Sequence, residues 1–167
     1  FPDQVEHEAA ELEKNKEAFF ADEIPHRHDM RGVPTFTIDP EDAKDFDDAI
    51  SIRELEGGTV ELGVHIADVS AYLKKDGATD TEAQKRGTSI YLVDRTIPML
   101  PEALSNDLCS LMPDVDRLAF SVIFTMHRDG TVLSYQIAET MIRSSKRFHY
   151  KEAQDVLDTK AGPMFKE

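Results

Sequence analysis

Apolar residues recur along the chain with two distinct periods. Val5, Ala9, Leu12 and Phe19 fall at roughly helical spacing, with Glu and Lys filling the intervening positions. That pattern predicts an amphipathic helix over 3–19, starting at Pro2-Asp3, whose charged side reads as a solvated face. Residues 22–34 lack periodicity and contain two prolines, so they read as a linker. Further on, the period changes to two. Residues 48–55 and 59–67 read as strands joined at Gly57-Gly58, a hairpin signal. In the second of these, Val60, Leu62, Val64 and Ile66 alternate with Glu61, Gly63, His65 and Ala67. The apolar set is expected to face the core, with His65 on the opposite side hydrogen-bonded to a neighbouring carboxylate or the backbone rather than ligating a metal. Asp80 to Arg86 predicts a short helix, Thr88 to Val93 a strand, and residues 96–105 a proline-punctuated loop. Asn106 to Met112 is apolar enough to turn inward. A second hairpin, 118–127 with 131–143, turns at Arg128-Asp129-Gly130, and a helix is expected over about 150–158 before the Gly162-Pro163 break. The sum is an α+β fold: a mostly antiparallel mixed sheet built from two hairpins, with peripheral helices.

Length and composition sharpen this picture modestly. The 167 residues suffice for one domain with a real core, and 40% hydrophobic with 31% charged residues is a globular balance. No apolar run approaches the length that spans a bilayer, so no membrane is expected as a partner. The single Cys109 cannot form an internal disulfide, which points to a reducing cytoplasm, and it reads as a small buried hydrophobe. The first residue is Phe1, and the chain reads as a piece of something longer.

Charge changes the picture more. The formal net charge is −14, and it is uneven: residues 1–30 carry −6 and residues 31–56 carry −5. On charge alone the chain is not a nucleic-acid binder, because phosphate recognition ordinarily leaves a basic footprint. One basic cluster stands out, Arg143, Lys146, Arg147 and Lys151, interleaved with Phe148, His149 and Tyr150. It reads equally well as a phosphate contact and as a solvated strand end. His26 and His28 sit in the linker with no third ligand near them in sequence.

The densest chemistry lies between Asp39 and Asp48, where six carboxylates meet one Lys, Lys44. Phe36 and Ile38 precede them and Ile50 and Ile52 follow, so β-prone apolar residues brace both ends. Two like charges about 4 Å apart repel by roughly 1 kcal/mol in water and roughly 4 kcal/mol at a partly buried site. Converging carboxylates must therefore splay into water, take up protons, or be neutralised by cations. Oxygen donors without His or Cys suit Mg²⁺, Mn²⁺ or Ca²⁺. A regular strand puts Asp45 and Asp47 on one face and Asp48 on the other, whereas a helix pairs Asp45 with Asp48. Neither gathers Asp39 with the other three; an irregular loop begun at Pro40 does. The spacing is not that of an EF-hand. An acidic, merely solubilising loop explains the composition as well as a cation site does.

The segment Thr37-Ile-Asp-Pro-Glu-Asp-Ala-Lys-Asp-Phe-Asp-Asp-Ala-Ile50 resembles the signature opening of the catalytic domain of the ribonuclease II / ribonuclease R exoribonucleases. The likeness continues through His65-Ile-Ala-Asp-Val-Ser70, Ile97-Pro-Met-Leu-Pro101, Leu104-Ser-Asn-Asp-Leu-Cys-Ser-Leu111 and Arg147-Phe-His-Tyr150, nearly unbroken from about 31 to 158. It implies that residues 1–30 are a linker helix and loop, and that residues 31–167 are the N-terminal portion of a ribonuclease II-type catalytic domain. The implied activity is processive hydrolysis of single-stranded RNA from its 3′ end to nucleoside 5′-monophosphates, with Mg²⁺ (Mn²⁺ as a substitute). Asp39, Asp45, Asp47 and Asp48 match the family's metal-holding aspartates, with Asp47 the catalytic position, and Tyr91 matches an aromatic that stacks on RNA bases. On the residues alone, Tyr91 reads as a strand aromatic packed in the core.

The family's catalytic domain continues beyond the stretch seen here and draws an arginine, a glutamate and a second stacking aromatic from that continuation. The resemblance therefore implies that this chain alone binds metal weakly and degrades RNA slowly or not at all. Open sheet edges and apolar patches are expected to favour a dimer of the fragment. The competing reading is a non-catalytic divalent-cation-binding or protein-interaction module using the same acidic loop.

Overall fold

The computed structural model describes residues 1–159. The expected Gly162-Pro163 break and the last residues of the 31–167 unit lie outside that range. Helix α1 (Asp3–Glu23) runs four residues past its sequence-based limit and is followed by a 3₁₀ turn at Ile24–His26. Strand β1 (His28–Asp29) comes next, then β2 (Thr35–Asp39), β3 (Asp48–Glu54) and β4 (Thr59–Ala67). Two short helices, α2 (Val69–Tyr72) and α3 (Ala78–Arg86), precede a small ribbon, β5 (Ile90–Tyr91) with β6 (Thr96–Ile97). A π-helical turn at Leu104–Leu108 leads to the long hairpin β7 (Asp116–His127) and β8 (Val132–Arg143). Strand β9 (Lys146–His149) and helix α4 (Tyr150–Thr159) complete the described fold.

Seven strands form one sheet in the order β1-β8-β7-β4-β3-β2-β9. Its four inner pairings are antiparallel, and the two outer ones, β1 with β8 and β2 with β9, are parallel. The α+β class and the mostly antiparallel mixed sheet are as expected. Gly57 and Gly58 turn the first hairpin at φ near +79° and +78°, a conformation that favours glycine.

Three local expectations change. The 22–34 stretch is not a free linker: Arg27 is buried in an ion pair with Asp68 (2.8 Å) and also pairs with Glu23 (2.9 Å), and β1 joins the sheet edge. The 88–93 strand shrinks to Ile90–Tyr91, because only a two-residue partner is available across the ribbon.

The third change concerns which face of the sheet is buried. The inward face carries Ala49, Ser51, Gly63, His65, Ala67, Ala119, Ser121 and Thr140, all buried. The loops and helices packed on it supply Met30, Phe46, Tyr72, Leu100, Leu104, Leu108 and Leu111, with Phe19 and Phe20 of α1 stacked around Tyr72 at 5.2 and 6.3 Å. Val64 and Ile66 instead lie on the other face, in register with Val122 and Phe120, and Ile66 remains 49% exposed. The alternation is real, but small side chains on the inner face are what let the helical layer approach. His65, fully buried, bonds Ser121 Oγ through Nδ1 (2.6 Å) and Ser51 Oγ through Nε2 (2.8 Å), and Ser121 continues the chain to Thr140 (2.6 Å). Burial holds its pKa down at about 4. It is a hydrogen-bonded histidine, as expected, but its partners are serine hydroxyls rather than a carboxylate or the backbone, and it lies on the core face. Cys109 is buried as expected, its thiol pushed up to about 12 by desolvation.

Candidate active site

Between β2 and β3 the chain leaves regular structure over residues 40–47, as the spacing of the aspartates requires. The loop is pinned at its centre. Phe46 is buried in the core, its N–H donates to Ser110 Oγ (3.1 Å), and its carbonyl accepts from the Leu111 N–H (2.9 Å). Ser110 Oγ in turn donates to the Lys44 carbonyl (2.8 Å), and the Ala67 N–H reaches the Asp47 carbonyl (2.9 Å). With Phe46 drawn inward, the aspartates flanking it are left to line an open cleft of about 710 Å³.

Asp39, Asp45, Asp47 and Asp48 all line this cleft, so the structure brings together the four residues singled out from the sequence. Asp42 lines it as well, while Glu41 is exposed outside the lining. Asp39 ends β2 and is buried; its Oδ2 has no hydrogen-bond partner. Desolvation raises its pKa, the Thr37 hydroxyl beside it pulls it down, Asp48 raises it, Arg147 lowers it, and Asp45 raises it again. Asp47 is raised by desolvation and then by Asp45, Asp48 and Asp39 in turn. The cleft is therefore short of positive charge.

A divalent cation fits that deficit: the donors are all oxygen, the carboxylates repel one another, and a buried carboxylate oxygen is unpartnered. Among the described residues, no three carboxylates already close to ligating separations. The donors surround the cleft without converging on a point.

Tyr91 stands at the cleft wall, 66% exposed rather than packed in the core. Its hydroxyl donates to Asp45 Oδ2, and that bond first, then desolvation, pushes its pKa up to about 12. Sequence reasoning missed the rest of the wall: Ser89, Arg95 and Thr96 beside the small ribbon, and Glu102, Ser105 and Asn106 around the π-helical turn. Ser105, Asn106 and Ser110 lie between the leucines of 104–111, and polar residues inside an inward-turning run were the available signal.

Three of the four residues of the basic cluster already have partners. Arg143 pairs with Asp116 (2.6 Å), Lys146 with Glu152 (3.6 Å), and Arg147 donates to loop carbonyls. His26 and His28 are exposed, and His28 Nδ1 lies 3.4 Å from Gln136 Nε2.

A mostly antiparallel mixed sheet thus carries a carboxylate-lined cleft at its β2–β3 loop, with an exposed aromatic on the cleft wall. The RNB domain family matches residues 27–164, and the chain belongs to that family. It is similar to ribonuclease R of Thermotoga maritima, 52% identical over 132 residues that make up 79% of this chain and 19% of that one. It resembles an Arabidopsis thaliana protein named inactive exonuclease DIS3L2, 46% identical over 140 residues, 84% of this chain and 13% of that one. Among solved structures, Mycoplasma genitalium RNase R in complex with ribose-methylated single-stranded RNA superposes with a TM-score of 0.82 at 32% identity, over 97% of this chain and 25% of that one. The chain thus spans a quarter or less of these relatives' lengths. No helix among the described residues is long and apolar enough to cross a membrane.

Proposed function

We propose that this chain is the N-terminal portion of the catalytic domain of a processive 3′→5′ exoribonuclease, hydrolysing single-stranded RNA from its 3′ end to nucleoside 5′-monophosphates in the cytoplasm. The observation that carries this is the cleft itself: four aspartates gathered by one loop, with the Asp39 Oδ2 unpartnered and Asp39 and Asp47 both driven toward protonation. Asp39, Asp45, Asp47 and Asp48 hold Mg²⁺ or Mn²⁺ in this reading. When bound, the metal supplies the positive charge that a phosphodiester needs and activates water for attack. The carboxylates position that charge, and a cleft that repels RNA when empty becomes attractive when loaded. Tyr91 offers an exposed ring to a terminal base, an interaction worth about 1–3 kcal/mol and indifferent to sequence. Ser105 and Asn106, also in the cleft lining, offer a hydroxyl and an amide to the sugar–phosphate backbone in this reading.

The test uses the full-length protein and a 5′-labelled single-stranded RNA with Mg²⁺. Wild type is expected to convert full-length RNA into a short 5′-labelled end product without a ladder of intermediates, and Asp47→Asn to slow this by at least the ~100-fold that loss of outer-shell support reaches. Equal rates would remove Asp47 from the chemistry. A second reading, a non-catalytic cation-binding or interaction module, draws support from the carboxylates not converging. It predicts Mn²⁺ binding without hydrolysis by the full-length wild type.

The outer sheet face supports a further element of this reading. Ile52, Ile66, Phe120, Tyr135 and Ile137 lie on it, each more than 40% exposed. In isolation this chain pairs with a second copy through that face.

A further inference from the structure

We propose that Arg147 is a positioning residue of the carboxylate cleft, clasping the two halves of the acidic loop into one shape. The inference deepens the metal-site reading above and rests on it for its functional consequence.

The loop's second half is fastened through Phe46, Ser110, Leu111 and Ala67. Its first half has little of its own. Pro40 lacks an N–H, and among the described residues the loop's one internal backbone bond is Ala43 N–H to the Pro40 carbonyl at 3.2 Å. The carbonyls of Pro40 and Glu41 are instead both held by Arg147 Nη2, at 2.7 and 2.8 Å. The same guanidinium lies over the Phe46 ring, 4.8 Å from its centroid. One side chain thus touches residues 40 and 41 on one side and residue 46 on the other, bracketing the stretch that carries Asp42 and Asp45.

The sheet aims it there. Strand β9 adds to β2 in parallel with Thr37 opposite Arg147 and Asp39 opposite His149. Arg147 therefore shares the face of Thr37 and Asp39, one step back from the cleft, while Phe148 on the other face locks β9 against Phe36 (5.6 Å). A planar, permanently charged fork can donate to two carbonyls and stack on a ring at once; an ammonium cannot. A cation also belongs at this point, amid six carboxylates that repel one another.

The experiment compares wild type, Arg147→Lys and Arg147→Met in this chain, without and with Mn²⁺. Amide hydrogen exchange without metal is expected to rise at residues 41–45 in both variants while β7 and β8 stay protected. Mn²⁺ affinity, read by electron paramagnetic resonance of the free ion, is expected to fall about tenfold, the scale of an outer-shell support. Loop exchange in Arg147→Lys equal to wild type would overturn the proposal, as would unchanged Mn²⁺ affinity in both variants. Should Arg147→Met lose protection in β7 and β8, the lysine variant alone decides. If wild type binds no Mn²⁺ yet its loop order depends on Arg147, the metal-site reading fails and the clasp stands.

Discussion

Asp39 and Asp47 are held in the fold at a cost in stability. Their raised pKa values mean that the folded state disfavours their ionised forms, so above the ordinary carboxylate pKa each opposes folding, and the penalty lifts as pH falls through the raised value. A bound divalent cation should relieve the same strain. Asp39→Asn is therefore expected to raise the thermal midpoint in metal-free buffer at pH 7 and to abolish the upward shift that Mn²⁺ gives wild type; calorimetry with and without Mn²⁺ checks both. His65 behaves in the opposite direction. Its folded pKa of about 4 lies below its ordinary 6.5, so unfolded chains take up a proton first as pH falls. Stability from this residue is complete above about pH 6.5 and drops by about 3 kcal/mol on the way to pH 4. Denaturant titrations at pH 7 and 4.5 should show that slope in wild type and a flatter one in His65→Gln. The same ring explains Gly63: a Cβ there would sit 2.4 Å from Ser51 Oγ and 2.6 Å from His65 Nε2. Gly63→Ala is expected to cost about 1–3 kcal/mol, measurable as a lowered denaturation midpoint.

Among the elements, α1 is more than an amphipathic lead-in. Its acidic face reads from sequence as solvated, and most of it is. Glu8, however, accepts hydrogen bonds from the N–H groups of Ala78 (3.0 Å) and Thr79 (2.8 Å) and from the Thr79 hydroxyl (2.6 Å). Gly77 at the start of α3 has no side chain to cap that helix, so the cap comes from another helix, about 70 residues away in sequence. The Thr79 hydroxyl above all, joined by the two N–H groups and Lys74, holds the Glu8 pKa below 4.5 against desolvation, which raises it. Its contribution is present above that pH and lost as pH falls through the lowered value. Glu8→Ala should lower stability by about 1 kcal/mol, the usual worth of a lost helix cap, and should loosen α3 in hydrogen exchange. Helical period revealed α1 but not this role, since a capping contact between distant helices leaves no local pattern. At the β2–β3 loop the opposite holds: Pro40 and the aspartate spacing demanded irregular backbone, and irregular backbone is present.

For the molecule as a whole, the sheet has one face built into a core and one left apolar and open. Sedimentation velocity is expected to show self-association that grows with concentration, and Phe120→Lys combined with Ile137→Lys to abolish it without lowering the thermal midpoint; a wild-type monomer throughout would refute the pairing. Phe120, Val122 and Phe124 of β7 align with Ile66, Val64 and Leu62 of β4, so the open face is continuous across strands. The sequence by itself determined the hairpins, the helices at each end and the acidic segment 39–48, because period, turn residues and charge spacing are local and each residue carries its own share of the signal; the choice of four among its six carboxylates came from the family resemblance. It could not decide which face of β4 is buried. An alternating strand fits either way round, and the outcome rests on how closely a layer of helices can approach Gly63, Ala67 and Ala119. Nor could it place Arg147 at Pro40 and Glu41, or Tyr91 at Asp45. Those contacts join residues 46 to 107 positions apart, and only the parallel addition of β9 to β2 and the fold of the small ribbon bring them within hydrogen-bond reach.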